Sequence, residues 1–173
     1  AAAQTIVARD LDPLEPAVVS VTQMQGGDTW NALPETVTLR GTARAFKEAV
    51  QDRIEARLGT LVAGLAQAFA VRADFRYERR YPPTVNEPAA TRLAQAAAEA
   101  VAGEANVLTD PSPSMGAEDF AFMLAERPGA YVWLGGGAPG RAMLHNPAYD
   151  FNDAVLATGA SYWLELVRRF FTA

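Results

Sequence analysis

The chain has 173 residues, half of them hydrophobic and one-fifth charged, enough to bury the core of one ordinary domain or two small ones and too apolar for wholesale disorder. Its 15 basic and 20 acidic groups leave a net charge of -5, which argues against a nucleic-acid partner, since such binding asks for a basic footprint. Without cysteine there is no disulfide and no thiolate zinc site, and the single histidine, His145, cannot make a two-histidine metal motif.

The opening AAAQTIVARD has the pattern of a helix tail, so further sequence is expected upstream of Ala1. Leu11 to Pro16 carries two prolines, which stop a helix and start extended chain. Ala17 to Met24 is rich in β-branched residues and predicts a strand. Gln25-Gly26-Gly27-Asp28 is turn chemistry. From Glu35 to Ala45 the chain alternates, with Val37, Leu39, Gly41, Ala43 and Ala45 on one face and Arg40 and Arg44 on the polar one. Phe46, Val50, Ile54, Leu58, Leu61, Leu65 and Phe69 then recur at spacings of three and four, a long amphipathic helix despite Gly59 and Gly64. A third strand is expected where Val71, Ala73, Phe75 and Tyr77 alternate with charged residues. Helix, strand, strand, helix, strand packs most economically as an antiparallel sheet with helices on one face.

Tyr81-Pro82-Pro83 predicts a stiff boundary. Beyond it a helix is expected from Pro88 to Ala102, ended by Gly103, with Pro88 suited to a first helical position. Val107-Leu108 is a short strand candidate, a helix is expected over 117–127, Ala130 to Leu134 suggests a buried strand, and a closing helix runs from about Asp153 to Phe171. This alternation suggests part of an α/β layer. No apolar stretch approaches the roughly 18 residues of a membrane span and no secretory signal is visible, so a soluble, cytoplasmic protein is expected.

Three segments concentrate polar chemistry. Leu144 to Asp153 gathers one imidazole, two carboxylates and two amides in a loop; His145 there is either a metal ligand or a surface histidine, with Asn152 or Asp153 capping the last helix. In Ser114 to Phe120, either Ser114 caps a helix that Glu118 and Asp119 suit electrostatically, or Gly116 lets a ligand approach exposed N–H groups. Glu118 and Asp119 point about 100° apart on a helix, a poor acid–base pair. Trp30 to Pro34 is a hairpin turn; Asn31 could nevertheless offer an amide, and Arg44 a bidentate fork, to a carboxylate. Arg40 and Arg44 equally suit a solvated face. The glycines 135–137 match no phosphate-binding fingerprint.

Taken in order, GGDTWNALPETVTLRGTARAF, PSMGAEDFAFML, PGAYVWLG and LHNPAYDFND resemble the metal-dependent amidohydrolases that include hippurate hydrolase and the auxin-conjugate hydrolases, within the aminoacylase and carboxypeptidase group of metallopeptidases. The resemblance implies an α+β lid over residues 1–80, lacking its first strand and mediating homodimerisation, and over 81–173 the C-terminal part of an α/β zinc-peptidase-like catalytic domain. It implies two divalent ions in the parent enzyme, zinc, manganese, cobalt or nickel, with His145 as the last metal ligand. Asn31 and Arg44 match lid positions that bind the substrate carboxylate, and Gly116 and Glu118 match a motif that lines the pocket. The remaining ligands and the catalytic glutamate fall upstream, so no catalytic residue is expected in this chain. The implied reaction is hydrolysis of an N-acyl amino acid or related amide by a metal-bound hydroxide, with the chain inactive alone and apolar surface exposed where the rest of the enzyme packs. The alternatives are a non-catalytic dimerisation or binding module derived from the lid, and a metal-free hydrolase working through its acids.

Overall fold

The β-branched run and the alternating run pair with each other. In the computed structural model, which describes residues 1–172, β1 (Ala17–Gln25) lies antiparallel to β2 (Thr38–Ala45). Ala17 faces Ala45 at one end and Gln25 faces Thr38 at the other, with a bulge between Val21 and Gln23. Gly41 serves this close pairing, because a Cβ there would stand 2.2 Å from the Ser20 carbonyl oxygen. The amphipathic stripe forms α1 (Glu48–Ala68). Its Val50 and Ile54 close on Val19 of β1 and on Ile6, which sits in a π-helical turn, Ile6–Asp10, where the sequence suggests a helix tail. Arg57 ties α1 to that turn through Asp10 at 2.8 Å. Only the Ala17/Ala45 end of the hairpin joins this core, through Ala17, Ala43 and Ala45; Val37 and Leu39 of the expected apolar face stay exposed.

The end of α1 is a Schellman motif. Val71 N–H donates to Ala66 O (3.0 Å) and Ala70 N–H to Gln67 O (3.3 Å), with Ala70 at φ 53°. The expected third strand after it is a correction, because Val71–Glu78 joins no ladder among the described residues. Of the alternating face, Phe75 and Tyr77 reach α1 by their side chains, while Val71 and Ala73 stay exposed and the backbone pairs with no strand. The Phe75 ring lies over Gly59, Tyr77 packs on the core and meets Gln51, and Arg79 reaches Glu55 at 2.5 Å and Asp52 at 2.6 Å. Burial, before any neighbouring charge, pushes the Tyr77 phenol up. These elements make one compact unit, Ala1–Pro83 with Met115–Ala117.

The second unit comprises Thr84–Ser114 and the chain from Glu118 onward. Its helices are α2 (Pro88–Ala102), α3 (Phe120–Glu126) and α4 (Leu156–Thr172). Pro88 occupies the first turn of α2, and the Glu87 carboxylate caps it by accepting from Ala89 N–H (2.9 Å) and Ala90 N–H (2.7 Å). Those backbone donors hold the Glu87 carboxyl below its ordinary range. Gly103, at φ 82°, ends the helix. α2 packs against α4, and its buried side chains, Ala94 and Ala97, are small and three residues apart. On α4, Glu165 holds Arg168 and Arg169, one turn on, and is pulled down to about 2 by those hydrogen bonds, that to Arg168 foremost.

Two further expectations are corrected here. Val107-Leu108 and Ala130–Leu134 form no strand among the described residues, so this unit shows helices where part of an α/β layer was expected. The backbone of Tyr131 is nonetheless paired: its N–H donates to Asn86 Oδ1 (2.8 Å) and its carbonyl accepts from Asn86 Nδ2 (2.9 Å). A side-chain amide thus takes the place of a neighbouring strand. α3 starts at Phe120, with Asp119 at its cap position and no side-chain capping bond, so Ser114 lies too far upstream to cap it.

Candidate functional site

Within the first unit, Arg44 comes from the core end of β2. Its Nη1 donates to the Met115 carbonyl at 2.5 Å, a contact between residues 71 apart in sequence, which sets the guanidinium beside half-buried Met115 and the exposed Gly116 and Ala117. This uses one of its five N–H donors. Arg40, on the same strand, is instead spent across the hairpin on Gln23 Oε1 at 3.3 Å. Asn31 lies in the loop at the other end of the hairpin, where its Oδ1 accepts from the Thr29 hydroxyl at 2.6 Å. That loop borders an open concavity of about 770 Å³ lined by Gln25 to Thr29 and Ala32 to Thr36. Six residue steps of strand lead from Thr38 to Arg44, roughly 20 Å at about 3.3 Å per residue. The hairpin therefore does not bring Asn31 and Arg44 together.

Within the second unit, Glu118 is half-buried beside Tyr131. Burial and then the Glu118 carboxylate push the Tyr131 phenol up, while the Trp133 side chain opposes the shift. The Tyr131 ring packs on Phe120 with centroids 5.6 Å apart and meets Trp133 edge-on at 6.3 Å. Tyr131 and Asn86 were not among the residues singled out from sequence. The alternation of Tyr131 with Trp133 places both on one face of extended chain and could have pointed to the first; the Asn86 pairing spans 45 residues and has no local signal.

His145 is exposed, at φ 68°, and one of two non-glycine residues with positive φ among the described residues, Ala70 being the other. Histidine enters the left-handed region more readily than most side chains, at a cost on the order of 1 kcal/mol. Its imidazole makes no hydrogen bond or ion pair among the described residues, so either ring nitrogen is available to a ligand. The following residues behave as the sequence suggests: Asn152 Oδ1 accepts from Ala154 N–H (3.2 Å) and caps the turn Asp153–Val155 that leads into α4. Among the described residues no group of three or more histidine, aspartate or glutamate side chains could hold a metal ion. A protein zinc site takes three or four ligands, and the described residues do not assemble them around His145.

Comparison with known proteins places these elements in a family. The pattern described as Peptidase family M20/M25/M40 matches residues 8–169. The chain is 32% identical to an N-acetyl-L-cysteine deacetylase of Bacillus subtilis, over 97% of this chain and 39% of that protein. It is 31% identical to the hippurate hydrolase of Campylobacter jejuni, over 98% of this chain and 44% of that one. Among solved structures it superposes on the YXEP protein of Bacillus subtilis, described as a dinuclear metal binding peptidase from the M20 family, with a TM-score of 0.70 at 28% identity, covering 95% of this chain and 44% of that one. The chain spans about two-fifths of the length of these curated relatives. With nearly its whole length inside the family pattern, the chain belongs to Peptidase family M20/M25/M40.

Proposed function

We propose that this chain is the C-terminal portion of a dinuclear metal-dependent amidohydrolase that cleaves N-acyl amino acids, with His145 as its contribution to the metal site. The observation that carries the reading is the match across residues 8–169 to a family whose similar members include a deacetylase of N-acetyl-L-cysteine and a hippurate hydrolase, both acting on N-acylated amino acids by name. The exposed, unpartnered imidazole supports it, because a ligand must keep a ring nitrogen for the ion. Bound divalent ions would supply Lewis acidity toward the amide carbonyl. The chain's own part is narrower. His145 offers one ring nitrogen, and Arg44 offers a positive fork suited to the substrate carboxylate. We assign pocket-lining roles to Gly116 and to Glu118, each within its own unit, and an amide donor to Asn31, a role that requires the hairpin end to meet substrate.

In this reading residues 1–80 are the lid, through which two copies pair, and 81–173 belong to the catalytic domain. The other metal ligands and the catalytic glutamate lie upstream, and the isolated chain is inactive. No described helix is long and apolar enough to cross a membrane, and we place the reaction in the cytoplasm. The test joins the chain to the sequence preceding it in its gene and assays hydrolysis of N-acetyl and N-benzoyl amino acids with zinc, manganese, cobalt and nickel. Metal-dependent hydrolysis in the longer protein and none in the 173-residue chain is expected. A longer protein that forms dimers but hydrolyses nothing would favour the lid-derived binding module instead.

A further inference from the structure

The loop that carries His145 is made of two consecutive turns sharing one residue, Asn146. Asn146 N–H donates to the Met143 carbonyl at 3.1 Å and closes the first turn over Leu144 and His145. His145 is the third residue of that turn, and its φ of 68° follows a residue of negative φ, the pattern of a type II turn, whose third position usually takes glycine. The second turn runs Asn146 to Tyr149. Its Tyr149 N–H donates to the Asn146 carbonyl at 2.9 Å, and Pro147 holds the second position, where its fixed φ is preorganised. The Asn146 side chain adds the remaining bond, Oδ1 accepting from Ala148 N–H at 2.9 Å. At the neck, Asn152 Nδ2 donates to the Gly136 carbonyl and Arg141 Nη1 to the Phe151 carbonyl, each at 3.1 Å, so the loop is clasped where it leaves and rejoins the unit.

We propose that Asn146 is a positioning residue for the His145 imidazole, its side-chain bond to Ala148 N–H locking the pair of turns that hold His145 left-handed. This rests on the reading of His145 as a metal ligand, and it explains why a histidine occupies a conformation that glycine would adopt more easily. Oδ1 fixes Asn146, and through it the N–H that closes the first turn. Without Oδ1 the Ala148 amide turns to water, the first turn loses its anchor, and His145 relaxes to negative φ. Because side-chain direction follows the backbone, the imidazole then leaves its place before any metal arrives.

The chain's single histidine makes its backbone and ring signals unambiguous by NMR. The wild-type chain is expected to show couplings and carbon shifts of a left-handed residue at His145, and an Ala148 amide exchanging at least tenfold more slowly than an unprotected one. Asn146→Ala is expected to move His145 to the negative-φ signature, and Asn146→Asp, which keeps an acceptor, to retain the wild-type one. In the longer, metal-binding protein, zinc affinity should fall at least tenfold for Asn146→Ala and stay within threefold for Asn146→Asp. An unprotected Ala148 amide in the wild type, a measurement that needs no variant, overturns the proposal. So does a left-handed His145 that persists in Asn146→Ala. Unchanged zinc affinity in His145→Gly would overturn the ligand reading instead, leaving the NMR results to judge the turn.

Discussion

Two residues, Ala70 and His145, take left-handed backbone without being glycine, and they do so for different reasons. Ala70 is forced there by the Schellman closure of α1, whose two hydrogen bonds satisfy carbonyls of the last turn. Nothing about that position uses a methyl group. Ala70→Gly is therefore expected to raise unfolding stability by about 0.5–1 kcal/mol, read as a higher urea midpoint at unchanged slope, because relief of the left-handed strain outweighs the extra freedom of glycine in the unfolded chain. An unchanged or lower midpoint would show that the α1 terminus is not closed in this way. His145 differs, since its side chain is the one group in the chain able to offer an imidazole to a metal. The strain there is tolerated because two turns and a neck clasp over-determine the loop.

At the scale of elements, stability rests on few contacts. Ile54 of α1 and Ile6 are the largest fully buried side chains, and they meet under one end of the hairpin. Ile54→Ala is expected to cost about 2–5 kcal/mol in denaturant unfolding of the first unit, the usual range for emptying such a site; a loss below 1 kcal/mol would mean that α1 is not seated there. α4 carries its own pH dependence. Its Glu165 is depressed to about 2 by Arg168 and Arg169. A depressed carboxyl stabilises the folded helix above its unfolded value of roughly 4.3 and loses that contribution as pH falls through the folded one. Helicity of α4 should accordingly decline between about pH 4.5 and 2, and Glu165→Gln should flatten the decline.

The elements that the sequence made legible are those whose signal is local. The spacing of Val50, Ile54, Leu58 and Leu61 marks a helix wherever it lies, and the β-branched run from Ala17 and the alternation before Ala45 mark two strands. The segment around Phe75 and Tyr77 carried an equally clean alternation and formed no strand, because alternation specifies a face and not a hydrogen-bonding partner. The same holds for Ala130 to Leu134, whose Tyr131 is paired by the side chain of Asn86. Among the site candidates, the stretch from Leu144 to Asp153 was legible as a loop, but the backbone of His145 within it depends on hydrogen bonds that composition does not show. The grouping of Met115–Ala117 with the first unit, through Arg44, joins residues 71 apart and leaves no trace in either segment.

For the whole molecule, the balance of surfaces fits a chain that belongs to something larger. Trp163, Leu164, Phe170 and Phe171 of α4 are each more than three-fifths exposed, as is Trp133 in the extended segment. Exposed apolar area on this scale marks surfaces that another body covers. The chain also spans only about two-fifths of its relatives, and it holds a single histidine. The proposed reading joins these facts at His145. Zinc titration of the protein translated from the whole reading frame should therefore find two tight sites in the wild type, with at least one lost in His145→Gly, a variant that keeps the left-handed backbone and removes only the ring. Two tight sites of unchanged affinity in that variant would contradict the assignment.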